Sequence, residues 1–340
     1  MINSIYRLKS PRNFEIAFSD VSIDENIIVR PLRLSICRAD QRYFQGTRDA
    51  KVLMNKLPMA LIHEAMGEVV YPGNSNFLRG EKVVLIPNIP NETDDYIAEN
   101  YLRSSKFAGS TSDGFLQEYV SLNQNRVVRL PDTINMDVAS FIELISVSMH
   151  AISRMNTFSH QRRERIGVWG DGNLGFITSL IIHKLFPESK IAVFGVSEEK
   201  LSDFSFADET YLTTNVPKHL YVDHAFECVG GNGSPVAIDQ IIDIIKPEGT
   251  ISLLGVSEYP ILINTRMILE KGIKLFGSSR SGKNDFQMTV NLLSHHPDVV
   301  EYLARLISNR VHINSFSDIK KAFELDAQKA FGKTILLWEI

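Results

Sequence analysis

The sequence predicts an α/β chain in two parts: a mostly antiparallel β part over residues 1 to about 144, and a doubly wound parallel sheet over 145–279. Three observations point there. At 340 residues the chain exceeds one ordinary domain and fits two. Its first part is rich in short β-branched runs broken by turn residues. Beyond about residue 145, short apolar runs alternate with helical stretches, the pattern of a parallel sheet covered on both faces.

In the first part, strands are expected at 26–30, 67–70 and 81–86, with Pro72-Gly73-Asn74 as a turn between two of them. Residues 87–112 are polar with little periodicity and read as a surface loop or lobe. In the second part, a strand at 165–170 leads into an apolar helix at 174–185. Further strands follow at 190–194, 224–228, 249–254 and 272–276. Residues 280–340 hold helical stretches and end in an apolar strand, 333–338.

Composition excludes several functions. A hydrophobic content of 44% with 22% charged residues suits a soluble protein with a real core. A net charge of −4 sets up no field that would gather nucleic acid or anionic membrane, so neither partner is expected. An anionic ligand must then be held by local Arg, Lys or backbone N–H groups. The N-terminal residues lack the pattern of a signal peptide, and no apolar run approaches the roughly 18 residues of a membrane span. Cys37 and Cys228 make no disulfide framework. The expectation is a cytoplasmic protein.

Gly170-Asp171-Gly172-Asn173-Leu174-Gly175 matches G-x-G-x-x-G between an expected strand and an expected helix, the context in which that motif binds a dinucleotide. Gly170 allows the tight turn, Gly172 lets the backbone approach the pyrophosphate, and Gly175 lets helix pack on strand. The helix N-terminus, starting at Asn173 and Leu174, offers N–H groups to the phosphates. An acidic residue about 20 positions on would select NAD by holding the adenosine ribose hydroxyls, but that position is Gly195. Ser197 and Lys200 suit a 2′-phosphate and favour NADPH, whereas Glu198 and Glu199 could take the acidic role if the turn is longer. Cys228, in an expected strand, reads as core or cofactor-lining.

Cys37, His63 and Glu143 each have a bland reading alone: a buried thiol, a core histidine, a solvated helix residue. Their local sequence says more. Cys37-Arg38-Ala39-Asp40, His63-Glu64 followed by Gly67, and Glu143 ahead of the glycine motif resemble, in order, the zinc-ligand segments of the medium-chain dehydrogenase family. The resemblance covers essentially the whole chain. It implies a GroES-like domain, 1–144 with 280–340, and a Rossmann cofactor domain, 145–279. It implies one catalytic zinc held by Cys37, His63 and Glu143, with Glu64 outside the first shell or exchanging with Glu143, and Asp40 orienting His63. No structural zinc is expected, since 87–112 contains no Cys. Two departures stand out: Ile62 replaces the usual Gly before the zinc His, and Ala39 replaces the Ser or Thr that relays the alcohol proton, leaving water, Glu64 or the nicotinamide ribose for that task.

The stretches 37–44, 57–64 and 141–146 resemble a branch of polyol dehydrogenases that reduces pentulose phosphates. The implied activity is NADPH-dependent reduction of D-ribulose 5-phosphate to D-ribitol 5-phosphate, feeding CDP-ribitol for teichoic acid or capsule. Arg42, Tyr43 and Arg280 are the implied substrate contacts, with Lys283 behind them and a structural role open for Tyr43. Cys228 and Val229 lie in a segment similar to a loop beside the nicotinamide ribose. Relatives pair through the cofactor-domain sheet edge, so a homodimer is implied. The alternatives are another polyol or polyol phosphate, a zinc-free quinone reductase, and a non-catalytic NADPH-binding homologue.

Overall fold

The computed structural model describes residues 2–23, 26–329 and 331–340. The chain divides into two compact units, 1–146 with 281–340, and 147–280. Among the described residues, no helix is long and apolar enough to cross a membrane.

The first unit is built on a seven-stranded sheet. Its path runs Val127–Arg129, Lys82–Leu85, Glu64–Tyr71, Ile27–Ser35, Lys333–Trp338, Ile307–Ile313, with Val120–Leu122 pairing beside Ile27–Ser35. All six residues of Lys333–Trp338 are buried, as an uninterrupted run from the middle of a sheet should be. This strand lies antiparallel to Ile27–Ser35, with Ile335 opposite Ser35, and parallel to Ile307–Ile313. The strand that leads into Cys37 is therefore completed by the last residues of the chain. The outer strand Ile307–Ile313 alternates half-buried and exposed positions, the period of two expected when one face meets solvent. A second sheet, Asn13–Asp20, Ile2–Ser10, Met59–Ala60, packs into the same core, which gathers Leu8, Leu34, Phe44, Leu61, Phe323 and Trp338.

Residues 87–112 form a lobe with one small strand pair, Asn88–Ile89 against Lys106–Phe107. Glu99 ties it down. Its carboxylate takes a two-pronged ion pair from the buried Arg126, at 2.9 and 3.1 Å, and accepts from the backbone N–H of Lys283 at 2.7 Å.

The second unit is a six-stranded, all-parallel sheet. In spatial order its strands are Glu209–Leu212, Lys190–Gly195, Arg165–Trp169, Val222–Glu227, Ile245–Leu253 and Lys274–Gly277, the 3-2-1-4-5-6 order of a dinucleotide-binding sheet. Val222–Glu227 is buried throughout and Lys190–Gly195 everywhere but Lys190, which is why the inner strands read as largely apolar runs. Glu209–Leu212 was not among the expected strands: it is an edge strand with no apolar run, and its residues are half-buried or exposed. It is held by pairing to 192–195 and by an Arg165–Glu209 ion pair at 2.9 Å.

Candidate active site

Cys37 is the N-cap of helix Arg38–Phe44, immediately after the strand Ile27–Ser35 and Ile36. Asp40, in the first turn, is fully buried and holds two backbone segments together. Its Oδ2 accepts from Cys37 N–H and its Oδ1 from Ile62 N–H, both at 2.9 Å. Ile62 itself is left-handed, with φ +71°, where a β-branched residue is strained by about 1–2 kcal/mol. Its neighbours enforce this: Ile62 O accepts from Phe115 N–H at 2.7 Å, and Gly114 lies so close that a Cβ there would be 2.3 Å from that oxygen. The glycine expected before the histidine is thus absent, but its conformation is kept.

The helix is anchored from the far side by Gln41, whose amide donates to Phe323 O at 2.9 Å, and by the Phe44–Phe323 ring contact at 5.0 Å. These tethers fix the thiol and the imidazole relative to each other. Cys37, Asp40 and His63 offer ligand atoms within 4.8 Å of one another, and so do His63, Glu64 and Glu143; His63 is common to both trios. Asp40 does not reach His63 by a hydrogen bond, since Oδ1 and Nδ1 are 3.7 Å apart. Its hold on the histidine runs through the backbone of Ile62 instead. His63 Nδ1 is buried and has no hydrogen-bond partner among the described residues.

Glu64 is fully buried beside an equally buried lysine, with Lys333 Nζ at 2.6 Å from Oε2. Lys333 Nζ also donates to Ile36 O at 3.1 Å, so it is fixed to the chain next to Cys37. Nothing in the sequence singled out Lys333; the one signal is a lysine heading an otherwise apolar strand. Glu143 is buried in the first turn of helix Ile142–Phe158.

The cluster gathers three buried carboxyl groups, those of Asp40, Glu64 and Glu143, around one buried histidine and one buried lysine. Burial pushes the Glu143 carboxyl up to about 7, against the pull of His63, and burial likewise raises Asp40. Burial alone would lower His63, but Asp40, Cys37 and Glu143 outweigh it and hold the imidazole well above 6.5. So many buried acidic groups beside one lysine are costly unless a positive charge joins them. A thiol, an imidazole and a carboxylate form a donor set suited to zinc with one position left open. The orphaned His63 nitrogen and the clustered carboxylates fit that ion.

In the second unit, strand Arg165–Trp169 ends at Gly170, with φ +129°, and helix Asn173–Leu185 starts three residues later with Gly172 as N-cap. A Cβ on Gly175 would sit 1.9 Å from Gly170 O, so the third glycine is obligatory. A Cβ on Gly172 would meet nothing within 4 Å, leaving an open face above the helix N-terminus, the cradle a pyrophosphate needs. Asp171, a residue the sequence reading passed over, reaches sideways to accept from Val196 and Ser197 N–H at 2.8 and 2.9 Å. It crowds Gly195, where a Cβ would be 2.7 Å from Asp171 Cβ, which explains why no carboxylate stands at that position.

Ser197 caps the short helix Glu198–Leu201 by accepting from Lys200 N–H, while Glu198 and Glu199 are exposed. Cys228 is buried with its thiol 3.8 Å from Thr178 Oγ1, and burial with Glu227 beside it pushes the thiol far up, so it is inert. Val229 is half-exposed. Glu227, also passed over, is a buried carboxylate accepting from Val229, Gly230 and Gly255 N–H at 3.0, 2.8 and 3.2 Å, and it shapes that loop.

Of the substrate residues expected from sequence, Tyr43 is buried in helix Arg38–Phe44, and Arg42 beside it is half-buried. Arg280, with φ +59°, belongs to the second unit. Lys283 donates from its Nζ to Asn125 Oδ1 at 2.7 Å, and its backbone N–H is the one that meets Glu99 of the 87–112 lobe.

Comparison with known proteins agrees with this geometry. The family model described as alcohol dehydrogenase GroES-like domain matches residues 24–132, and that described as zinc-binding dehydrogenase matches 190–295. The chain is 52% identical over 339 residues to ribulose-5-phosphate reductase 1 of Staphylococcus aureus, covering 99% of both chains. It is 50% identical to ribulose-5-phosphate reductase of Bacillus spizizenii, covering 100% of both. The crystal structure of S. aureus TarJ in complex with NADPH superposes with a TM-score of 0.90 at 48% identity, again over the whole of both chains.

Proposed function

The chain belongs to the zinc-binding, medium-chain alcohol dehydrogenase family, and from that premise we propose that it reduces D-ribulose 5-phosphate to D-ribitol 5-phosphate with NADPH. One observation carries the reading: two ligand groups that share His63, one with Cys37 and Asp40 and one with Glu64 and Glu143, stand on a chain matched end to end, at about half identity, by proteins named for that reaction. The product would feed CDP-ribitol for teichoic acid or capsule synthesis.

When bound, zinc supplies Lewis acidity toward a carbonyl oxygen and NADPH supplies a hydride. Cys37, His63 and Glu143 are the residues that would hold the metal. Asp40 fixes the backbone on both sides of the donors. Lys333 holds Glu64 by its carboxylate, which leaves Glu143 as the carboxylate free to ligate. Ala39 offers no hydroxyl, so the proton for the new alcohol comes from water, Glu64 or the nicotinamide ribose. Gly170, Gly172, Asn173, Leu174 and Gly175 would cradle the pyrophosphate, and Ser197 and Lys200 the 2′-phosphate. Cys228 and Val229 lie on the loop assigned to the nicotinamide side, and Arg42, Tyr43 and Arg280 are the proposed substrate contacts.

Both cysteines are free and one is buried, which suits a reducing compartment, so we assign the enzyme to the cytoplasm. The parallel sheet ends at Lys274–Gly277, an edge strand that pairs on one side only, and this supports a homodimer formed there. To test the activity, the protein is incubated with NADPH and D-ribulose 5-phosphate and the product identified by NMR. D-ribitol 5-phosphate is expected; D-arabinitol 5-phosphate, or no consumption of the sugar, would overturn the assignment.

A further inference from the structure

We infer that Asp171 is a positioning residue for the cofactor's 2′-phosphate: its buried carboxylate sets the turn 195–197 and keeps position 195 bare, and so underlies a preference for a phosphorylated dinucleotide. The inference deepens the NADPH reading above and rests on it. Asp171 stands between the first two glycines of the motif, a place where the turn itself demands no particular side chain. Its side chain leaves the glycine turn and reaches the end of the neighbouring strand, Lys190–Gly195. There Oδ2 accepts from Val196 N–H at 2.8 Å and from Ser197 N–H at 2.9 Å. One buried oxygen thus fixes two consecutive residues just beyond that strand.

The same contact decides what can stand at Gly195. A Cβ there would lie 2.7 Å from Asp171 Cβ, 2.9 Å from Asp171 Oδ2 and 2.9 Å from Leu201 Cδ2. The backbone cannot move aside cheaply, because Gly195 O accepts from Thr213 N–H at 2.9 Å. The carboxylate that holds the ribose hydroxyls in an NAD-selecting sheet therefore has no place at the end of this second strand. Such a carboxylate would repel a 2′-phosphate. Asp171 instead commits its Oδ2 to two backbone N–H groups.

The turn that Asp171 holds is open to a ligand. Val196 is 77% exposed, Ser197 and Lys200 are half-buried, and Gly172 is partly exposed with nothing within 4 Å of where its Cβ would stand. Ser197 has its backbone N–H on Asp171, and its Oγ accepts from Lys200 N–H at 3.3 Å, which leaves the hydroxyl proton to donate to a phosphate oxygen. Lys200 adds a cation three residues on. The glycine turn does not depend on the Asp171 side chain: Gly170 N–H donates to Phe194 O at 2.8 Å, and Gly175 packs directly on Gly170 O. Removing the carboxylate therefore loosens the 2′-phosphate end and leaves the pyrophosphate end standing.

The test is calorimetric titration of the full-length protein with 2′,5′-ADP and with 5′-AMP, which lacks the 2′-phosphate, in the parent, Asp171→Ala and Asp171→Asn. The ratio of the two dissociation constants reads the 2′-phosphate alone. Loss of the brace is expected to lower the preference for 2′,5′-ADP roughly tenfold in Asp171→Ala, with the affinity for 5′-AMP changed less than about threefold. Asp171→Asn, whose amide oxygen can accept the same two bonds, should keep most of the preference, which separates bracing from folding. An asparagine variant as poor as the alanine one, or an alanine variant with the parent's ratio, would overturn the inference and leave the NADPH reading standing. An equal fall for both ligands would also overturn it, by making Asp171 a support of the whole cofactor site. A parent that binds 5′-AMP as tightly as 2′,5′-ADP would overturn both.

Discussion

Lys333 and Glu64 form an ion pair at 2.6 Å. Both are buried, and removing one charge strands the other at a cost of about 3–5 kcal/mol. Lys333→Met is therefore expected to lower unfolding free energy in urea by about that amount, and Lys333→Met/Glu64→Gln to recover much of it. A loss below about 1 kcal/mol in the single variant would contradict the burial of the pair. Ile62 pits two effects against each other. Glycine there would relieve about 1–2 kcal/mol of left-handed strain but would forfeit a fully buried side chain, a loss of about 2–5 kcal/mol. Burial wins, so Ile62→Gly should be less stable than the parent, and a gain in Tm would show that strain dominates. That Cys37 and Glu143 would each come close to His63 was legible because each of the three sits in a recognisable local run. Lys333 was not: its meaning comes from a sheet that pairs residue 335 with residue 35, and no local pattern carries that.

Among the elements, the strand Val222–Glu227 brings three titratable groups, Asp223, His224 and Glu227, into the sheet's interior. His224 is fully buried, its Nε2 between the carbonyls of His160 and Arg162 and its Nδ1 accepting from Thr250 N–H at 3.2 Å. Burial, with His160 beside it, pushes the imidazole down to about 4. The unfolded chain takes up this proton near 6.5. Between about pH 4 and 6.5 the unfolded state thus binds more protons, so stability rises with pH, is fully present above 6.5, and is lost as pH falls toward 4. A shift of this size corresponds to roughly 3 kcal/mol, and chemical denaturation at pH 7.5 and 4.5 should show a smaller difference in His224→Gln than in the parent. An equal difference would mean that other groups govern acid stability. The neighbouring Asp223 adds in the same direction: burial raises its carboxyl, but Arg165 N–H, Lys246 and Arg162 outweigh this and hold it below the usual range. The glycine turn was fully readable, since Gly170 and Gly175 are dictated by backbone contact. The strand Glu209–Leu212 was not, because an edge strand stabilised by ladder bonds and an ion pair needs no apolar run.

For the whole molecule, the donor set implies one zinc per chain and a cofactor choice made at a single turn. Metal analysis of the purified protein should give about one zinc per chain, falling close to zero in His63→Ala. Zinc retained in that variant would place the metal elsewhere. Lys200→Ala should raise KM for NADPH roughly tenfold while changing KM for NADH little, because only the former carries the 2′-phosphate. Parallel changes would remove Lys200 from that contact. The two-part architecture and the parallel sheet followed from the switch between β-branched runs and strand–helix alternation. The most direct measurement of the central claim is the initial rate of NADPH oxidation with D-ribulose 5-phosphate, set beside D-ribulose and beside NADH. Rapid turnover confined to the phosphate ester with NADPH is expected; equal rates on the free sugar, or a preference for NADH, would contradict it.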